Sequence, residues 1–191
     1  MRNAQIIQVK RYFFATVLLV IAASLQAQLK IVPAKSTVVV SGTSTMHDWD
    51  MKVAQVNGSV DASASKLNAL VISIPVKSLK STKGSIMDGK AYDAFNEKKN
   101  PLIVFTLTDA APIKISDENV EVVLSGTLSM GGSTRKVIFK STGKVIAKGF
   151  QMKGALPLKM SDFGMKAPSL LFVKTGDAVV VKFDVTVEGS L

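Results

Sequence analysis

The chain has 191 residues, 47% apolar and 20% charged, with one histidine, no cysteine and a net charge of +10. That length fits one domain around one core, and the composition favours neither wholesale disorder nor a protein with many membrane spans. Without cysteine there is no acylated lipoprotein N-terminus, no disulfide framework, no thiol catalysis and no thiolate metal site, so the fold must stand on packing alone.

Arg2, Lys10 and Arg11 precede an apolar run from Tyr12 to Ala23, followed by Ser24-Leu25-Gln26-Ala27. The run is about twelve residues, short of the roughly twenty that a spanning helix needs. Residues 1–27 therefore read as a secretory signal peptide cut after Ala27, and 28–191 as the mature domain, with an uncleaved N-terminal anchor as the alternative. Removing the three basic residues from a net of +10 leaves +7. The remaining lysines are spread singly, Lys98-Lys99 and Arg135-Lys136 are the only mature basic doublets, and 6% of residues are aromatic. A nucleic-acid partner would need a concentrated basic stripe and stacking aromatics, and none is expected.

Beyond the leader the dominant signal is alternation with period two, the mark of strands with one dry face. The predicted strands run Thr37 to Met46, Met51 to Val60, and through Leu70, Ile72, Ile74 and Val76. Ser85 is expected to cap a short helix with Met87, Ala91, Ala94 and Phe95 at helical spacing, ending before Asn100-Pro101 and lying over one end of the sheet. Strands follow over Leu102 to Thr108, through Val120, Val122, Leu124, Gly126, Leu128 and Met130, and over Lys136 to Thr142. Phe150, Met152, Gly154, Leu156, Leu158 and Met160 share one face of the next, and Val179, Val181, Phe183, Val185 and Val187 one face of the last. Turn signals fall at Ala111-Pro112, Gly131-Gly132, Thr142-Gly143 and Thr175-Gly176-Asp177. Asn57-Gly58 fits either a hairpin turn or a bulge in one long bent strand.

About eight antiparallel strands with one apolar face each can close into a barrel or pack as a two-sheet sandwich. Gly42, Ser44, Gly126 and Gly154 lie on the apolar parity, where a filled sandwich core would want bulk. Small inner residues favour a barrel with room inside, although glycines that relieve strand curvature would give the same pattern.

Signals of chemistry are few. His47 sits in Ser44-Thr45-Met46-His47-Asp48-Trp49-Asp50 with no Gly-x-Ser-x-Gly elbow and no second histidine anywhere. Neither a catalytic triad nor a zinc site is expected, and Asp88 and Asp93 are spaced wrongly for a face-sharing pair. Trp49 suits either stacking on a ligand at a cavity mouth or anchoring the core.

The order of elements resembles the YceI-like family of exported lipid-binding proteins. Ser36-Thr37-Val38-Val39-Val40, Val76-Lys77-Ser78-Leu79 and Asn100-Pro101-Leu102-Ile103-Val104-Phe105 match its opening and middle. The run from Leu124 to Val137, with Gly126, Leu128, Gly132 and Arg135-Lys136-Val137, is similar to its Gly-x-Leu-x-x-x-Gly-x-x-(Arg/Lys)-x-Val hairpin. Ser161-Asp162-Phe163-Gly164-Met165 resembles a second signature. Met130 stands where members often carry a histidine, so any role for that histidine is absent. The resemblance implies an all-β, lipocalin-like antiparallel barrel whose apolar lumen holds a polyisoprenoid or another amphiphile.

The residues expected to line or floor that lumen are Ile72 and Ile74, Phe105, Val122, Leu124 and Leu128, Phe139, Phe150 and Leu156, and Val181 and Phe183, with Trp49 at the mouth. Parity leaves Phe105 and Phe139 open between the lumen and an outward position against the helix. The expected function is an exported, non-enzymatic lipid carrier without cofactor or metal, periplasmic or secreted, touching membranes only transiently for lipid exchange. Its oligomeric state stays open, a homodimer included. The alternatives are a filled β-sandwich module for structure or adhesion, and an enzyme using His47 with Asp48 or Asp50.

Overall fold

The computed structural model describes residues 28–63, 65–170 and 172–189, so the signal-peptide reading of 1–27 lies outside the described residues. The strands are β1 (Gln28–Ile31), β2 (Thr37–Ser44), β3 (Trp49–Val53), β4 (Asn57–Ala62), β5 (Lys66–Pro75) and β6 (Leu79–Ser81). Helix α1 (Ser85–Phe95) comes next, then β7 (Leu102–Leu107), β8 (Ala111–Ser116), β9 (Asn119–Met130), β10 (Ser133–Ile146), β11 (Gly149–Lys159), the short β12 (Ser169–Leu170) and β13 (Val173–Glu188).

Pairing is antiparallel throughout and joins these segments into eight long staves, because β1 with β2, β3 with β4, β5 with β6 and β7 with β8 each continue one line. The last stave returns to the first: β13 pairs with β2 from Asp184 back to Thr175, and with β1 at Val187 and Glu188. The sheet therefore closes on itself as an up-and-down barrel, which leaves no free edge along this seam and overturns the two-sheet sandwich alternative.

The breaks within staves have local causes. Between β1 and β2 the chain makes a 3-10 turn at Pro33–Lys35, with the Val32 N–H donating to the Thr186 carbonyl at 2.9 Å. Buried Thr186 donates its hydroxyl to the Lys35 carbonyl at 3.1 Å, so the break leaves little backbone unpaired. The neighbouring breaks after β3 and β5 meet at Ser78. Its carbonyl accepts the Ala54 N–H at 2.8 Å, and its buried hydroxyl donates to the Pro75 carbonyl at 2.7 Å.

Gly131-Gly132 is the β9–β10 turn, with positive φ at both positions (59° and 87°), as a tight hairpin turn demands. Three other turn expectations fail. Thr142-Gly143 lies inside β10, where a Cβ on Gly143 would strike the Gln151 carbonyl of β11, so this glycine serves close strand approach. Ala111-Pro112 opens β8, and Thr175-Gly176-Asp177 forms an irregularity within β13. Ser85 is the first helical residue, not the cap; Gly84 with φ 98° occupies the cap position and offers no side chain.

α1 fills the gap where β6 and β7 part company above the Pro75–Leu102 pair. Asp88 accepts the Ser81 N–H at 2.6 Å, and Tyr92 donates to the Lys77 carbonyl at 3.0 Å while accepting from the Lys80 ammonium at 2.8 Å. The Tyr92 hydroxyl and the Asp88 carboxylate hold the Lys80 ammonium above its ordinary pKa. Beneath the helix Ala91 packs with Met51, Val76 and Leu79. The 3-10 turn Met160–Phe163 covers the same end, with Phe163 and Met165 buried under it. Its Ser161 is tethered to Asp177 of β13, whose carboxylate accepts the hydroxyl at 2.5 Å and the backbone N–H at 2.8 Å. Those two bonds hold the Asp177 carboxyl below the usual range.

Candidate functional site

Strand parity sends one side chain of every two inward, and on β9 the inward set Val120, Val122, Leu124, Gly126, Leu128 and Met130 is buried throughout. The outward positions of neighbouring strands carry charge, paired as Lys140 with Glu121 and Lys153 with Asp184. Inside runs a cavity of about 310 Å³, near the lower bound of the roughly 300–1,000 Å³ of small-ligand sites, and its wall is almost wholly apolar.

Every residue expected to line the lumen stands on this wall. β5 contributes Ile72 and Ile74, β7 Phe105, and β9 Val122, Leu124 and Leu128. β10 supplies Phe139, β11 Phe150 and Leu156, β13 Val181 and Phe183, and β3 Trp49. Phe105 and Phe139, left open by parity, both face in. Their rings meet edge to face at 5.4 Å between centroids, and Phe139 meets Phe183 the same way at 5.9 Å.

The inward glycines do not leave the room expected of them. The Trp49 ring lies over Gly42, its partner across the β2–β3 ladder. Phe105 covers Gly126 from the adjacent strand, and Phe183 covers Gly154 directly opposite. A Cβ at any of these glycines would enter a ring, so each serves as a seat for an aromatic. Ser44 is likewise no space-maker, since its hydroxyl donates to the His47 carbonyl at 2.7 Å and shapes the β2–β3 loop.

The lumen has a closed end and an open one. Leu29, Ala111, Val120 and Phe150 are buried at the end away from α1. At the helix end Trp49, Ser81, Met87, Lys90 and Pro168 line the cavity while partly exposed, which marks the mouth. Trp49 combines both roles foreseen for it, since its ring is packed on Gly42 at the mouth and its indole N–H is held by the Thr43 carbonyl at 2.9 Å. The helix face of Met87, Lys90, Ala91, Ala94 and Phe95, and also Val38, Val40 and Ile103, are wall residues that the sequence reading did not assign. The parity of Thr37 to Met46 carried the signal for Val38 and Val40; the helical spacing carried it for the α1 residues.

His47 and Asp48 are exposed in the β2–β3 loop, and Asp50 accepts the Thr82 hydroxyl at 2.9 Å. Among the described residues no group of three or more acidic or histidine side chains could hold a metal ion.

A closed antiparallel barrel with an apolar interior and one short helix over its mouth is a lipocalin-like architecture, suited to enclosing an apolar molecule. The YceI-like domain model matches residues 29–187, and the chain belongs to the YceI-like family. A comparison with curated protein sequences finds no match. Among solved structures, BcnA of Burkholderia cenocepacia superposes with a TM-score of 0.65 at 21% identity, covering 81% of this chain and 98% of that one. A polyisoprenoid binding domain from Saccharophagus degradans, implicated in plant cell wall breakdown, gives a TM-score of 0.68 at 14% identity, covering 84% and 98%. The Campylobacter jejuni YCEI protein gives 0.56 at 20% identity, covering 72% and 82%. At these identities the likeness establishes the fold.

Proposed function

We propose that the mature chain is an exported, non-enzymatic carrier that shields the tail of a polyisoprenoid or similar amphiphile inside the barrel, acting in the periplasm or after secretion. The observation that supports this best is the lumen itself, an apolar tube of about 310 Å³ that is closed at one end and reached from the other. The polyisoprenoid binding domain from Saccharophagus degradans, which shares the fold, agrees with it. Burial of each methylene contributes about 0.8 kcal/mol, so a tail of a few isoprene units offsets an association cost of roughly 4–15 kcal/mol. The twelve wall residues named from the sequence are the proposed tail contacts.

Lipid exchange with a membrane takes place at the mouth. Met46 and Phe172 project into solvent from two loops at that end and Ile86 from the first turn of α1, Phe172 with 96% of its surface exposed. Exposed apolar side chains around an opening suit brief insertion into a bilayer surface.

The decisive experiment is mass spectrometry of an organic extract of the mature protein, purified without detergent from its native host beside a similarly handled control. A stoichiometric prenyl lipid or quinone is the expected result. A clean extract from a protein that also refuses added isoprenoids would refute the carrier reading, whereas Leu124→Lys should remove binding by placing a charge in the tail path.

A further inference from the structure

The residues α1 gives to the cavity, Met87, Lys90, Ala91, Ala94 and Phe95, form one helical face. Four of them are apolar. Lys90 is the only charged residue on the cavity wall among the described residues. A lysine within an apolar stripe loses hydration unless its ammonium finds an acceptor or reaches water. Of the neighbouring acids, Asp88 takes the Ser81 N–H and lies 3.6 Å from Lys80, Glu97 lies 3.6 Å from Lys77, and Asp93, one turn on and exposed, forms no ion pair with Lys90. Lys90 forms neither an ion pair nor a side-chain hydrogen bond with any described residue.

Position adds a second constraint. Lys90 stands at the open end, half-buried, beside the other partly exposed mouth residues. Ser81, also on the wall, receives the Lys83 N–H on its hydroxyl oxygen at 3.0 Å. Its hydroxyl hydrogen is engaged by no described residue. A ligand whose tail fills the lumen must leave its head group at this level, where one cation stands with the hydroxyls of Ser81 and Thr175 on an otherwise apolar rim.

We propose that Lys90 is the specificity-determining residue of the mouth, and that it selects amphiphiles with an anionic head group, such as a phosphate monoester, over neutral ones with the same tail. This rests on the carrier reading of the lumen. A lysine suits the task because its ammonium is a compact, flexible point charge, able to meet a head group at the water boundary without fixing its orientation.

The test compares geranylgeranyl phosphate with geranylgeraniol by fluorescence competition on delipidated wild type, Lys90→Met and Lys90→Arg, at low and high salt, with inorganic phosphate as a further competitor. Methionine keeps the apolar stem and is a good helix former, so the fold is retained, and arginine keeps the charge. Wild type should favour the phosphate by about tenfold, as one charge-assisted hydrogen bond would give. The preference should vanish in Lys90→Met, survive in Lys90→Arg, and shrink with salt. An unchanged preference in Lys90→Met, with both lipids still bound, would overturn the assignment and leave the carrier reading standing. Displacement of both probes by inorganic phosphate at the concentration of the lipid phosphate would overturn it too, by showing a site for free anions. Failure of both lipids to bind wild type would sink the carrier reading and this assignment with it.

Discussion

Phe139→Ala offers a direct measure of how the inner wall is held. Phe139 makes edge contacts with Phe105 and Phe183 at 5.4 and 5.9 Å, and each such pair contributes about 0.5–1.5 kcal/mol beyond area burial. Because one side of the ring borders the lumen, its loss should fall below the roughly 3–5 kcal/mol of a fully enclosed phenylalanine. The expectation is a destabilisation of about 2–3 kcal/mol, or a fall in melting temperature of roughly 4–12 °C for a domain of this size. Its neighbour Ile138 points outward at 70% exposure, and Ile138→Ala should stay within about 0.5 kcal/mol. Urea unfolding of delipidated protein, followed by the fluorescence of Trp49, reads both. Equal costs at 138 and 139 would refute the inward placement; an additive Phe105→Ala/Phe139→Ala cycle would refute the coupling of the rings.

Gly154→Ala should cost about 1–3 kcal/mol through its collision with the Phe183 ring, and Phe183→Leu introduced beside it should recover most of that loss, as differential scanning calorimetry would show. Asp177→Asn should melt below wild type at neutral pH. Its depressed folded-state pKa means the wild-type contribution is present above the unfolded pKa and is lost as pH falls through the folded one, so the gap in melting temperature should close in acid; a gap independent of pH would exclude the Ser161 tether as its cause. Phe172→Asp should leave equilibrium lipid affinity unchanged but slow delivery to vesicles by at least about tenfold, the equivalent of losing about 1.5–3 kcal/mol of apolar insertion. Unaltered transfer would remove Phe172 from the membrane contact.

Much of the barrel was legible because its inner face is apolar along whole strands. The alternation through Val120 to Met130 and Val179 to Val187 names the inward residues of those two strands directly, whereas it leaves Phe105 and Phe139 open until the barrel closes. What alternation could not show is where staves break or continue. β1 is only four residues long, and β8 begins Ala111-Pro112, a dipeptide that reads as a turn. Gly143 carries the same letter whether it turns a chain or admits a neighbouring carbonyl, and only the β11 register distinguishes the two. A lysine on a short helix carries no sign of what it faces; closure of the barrel is what turns the helical face of Lys90 towards the mouth. The proposed kind of cargo rests on the family resemblance, since periodicity alone specifies none.

The seating of Trp49, Phe105 and Phe183 on Gly42, Gly126 and Gly154 has a bearing on the calibre of the tube. An aromatic ring folded flat onto the opposing strand narrows the passage by its thickness, whereas one displaced by a methyl group must swing across it. The diameter open to a cargo is thus governed by positions that bear no side chain. Drift at those three sites would close the passage sooner than substitution among the aliphatic residues that form most of its surface.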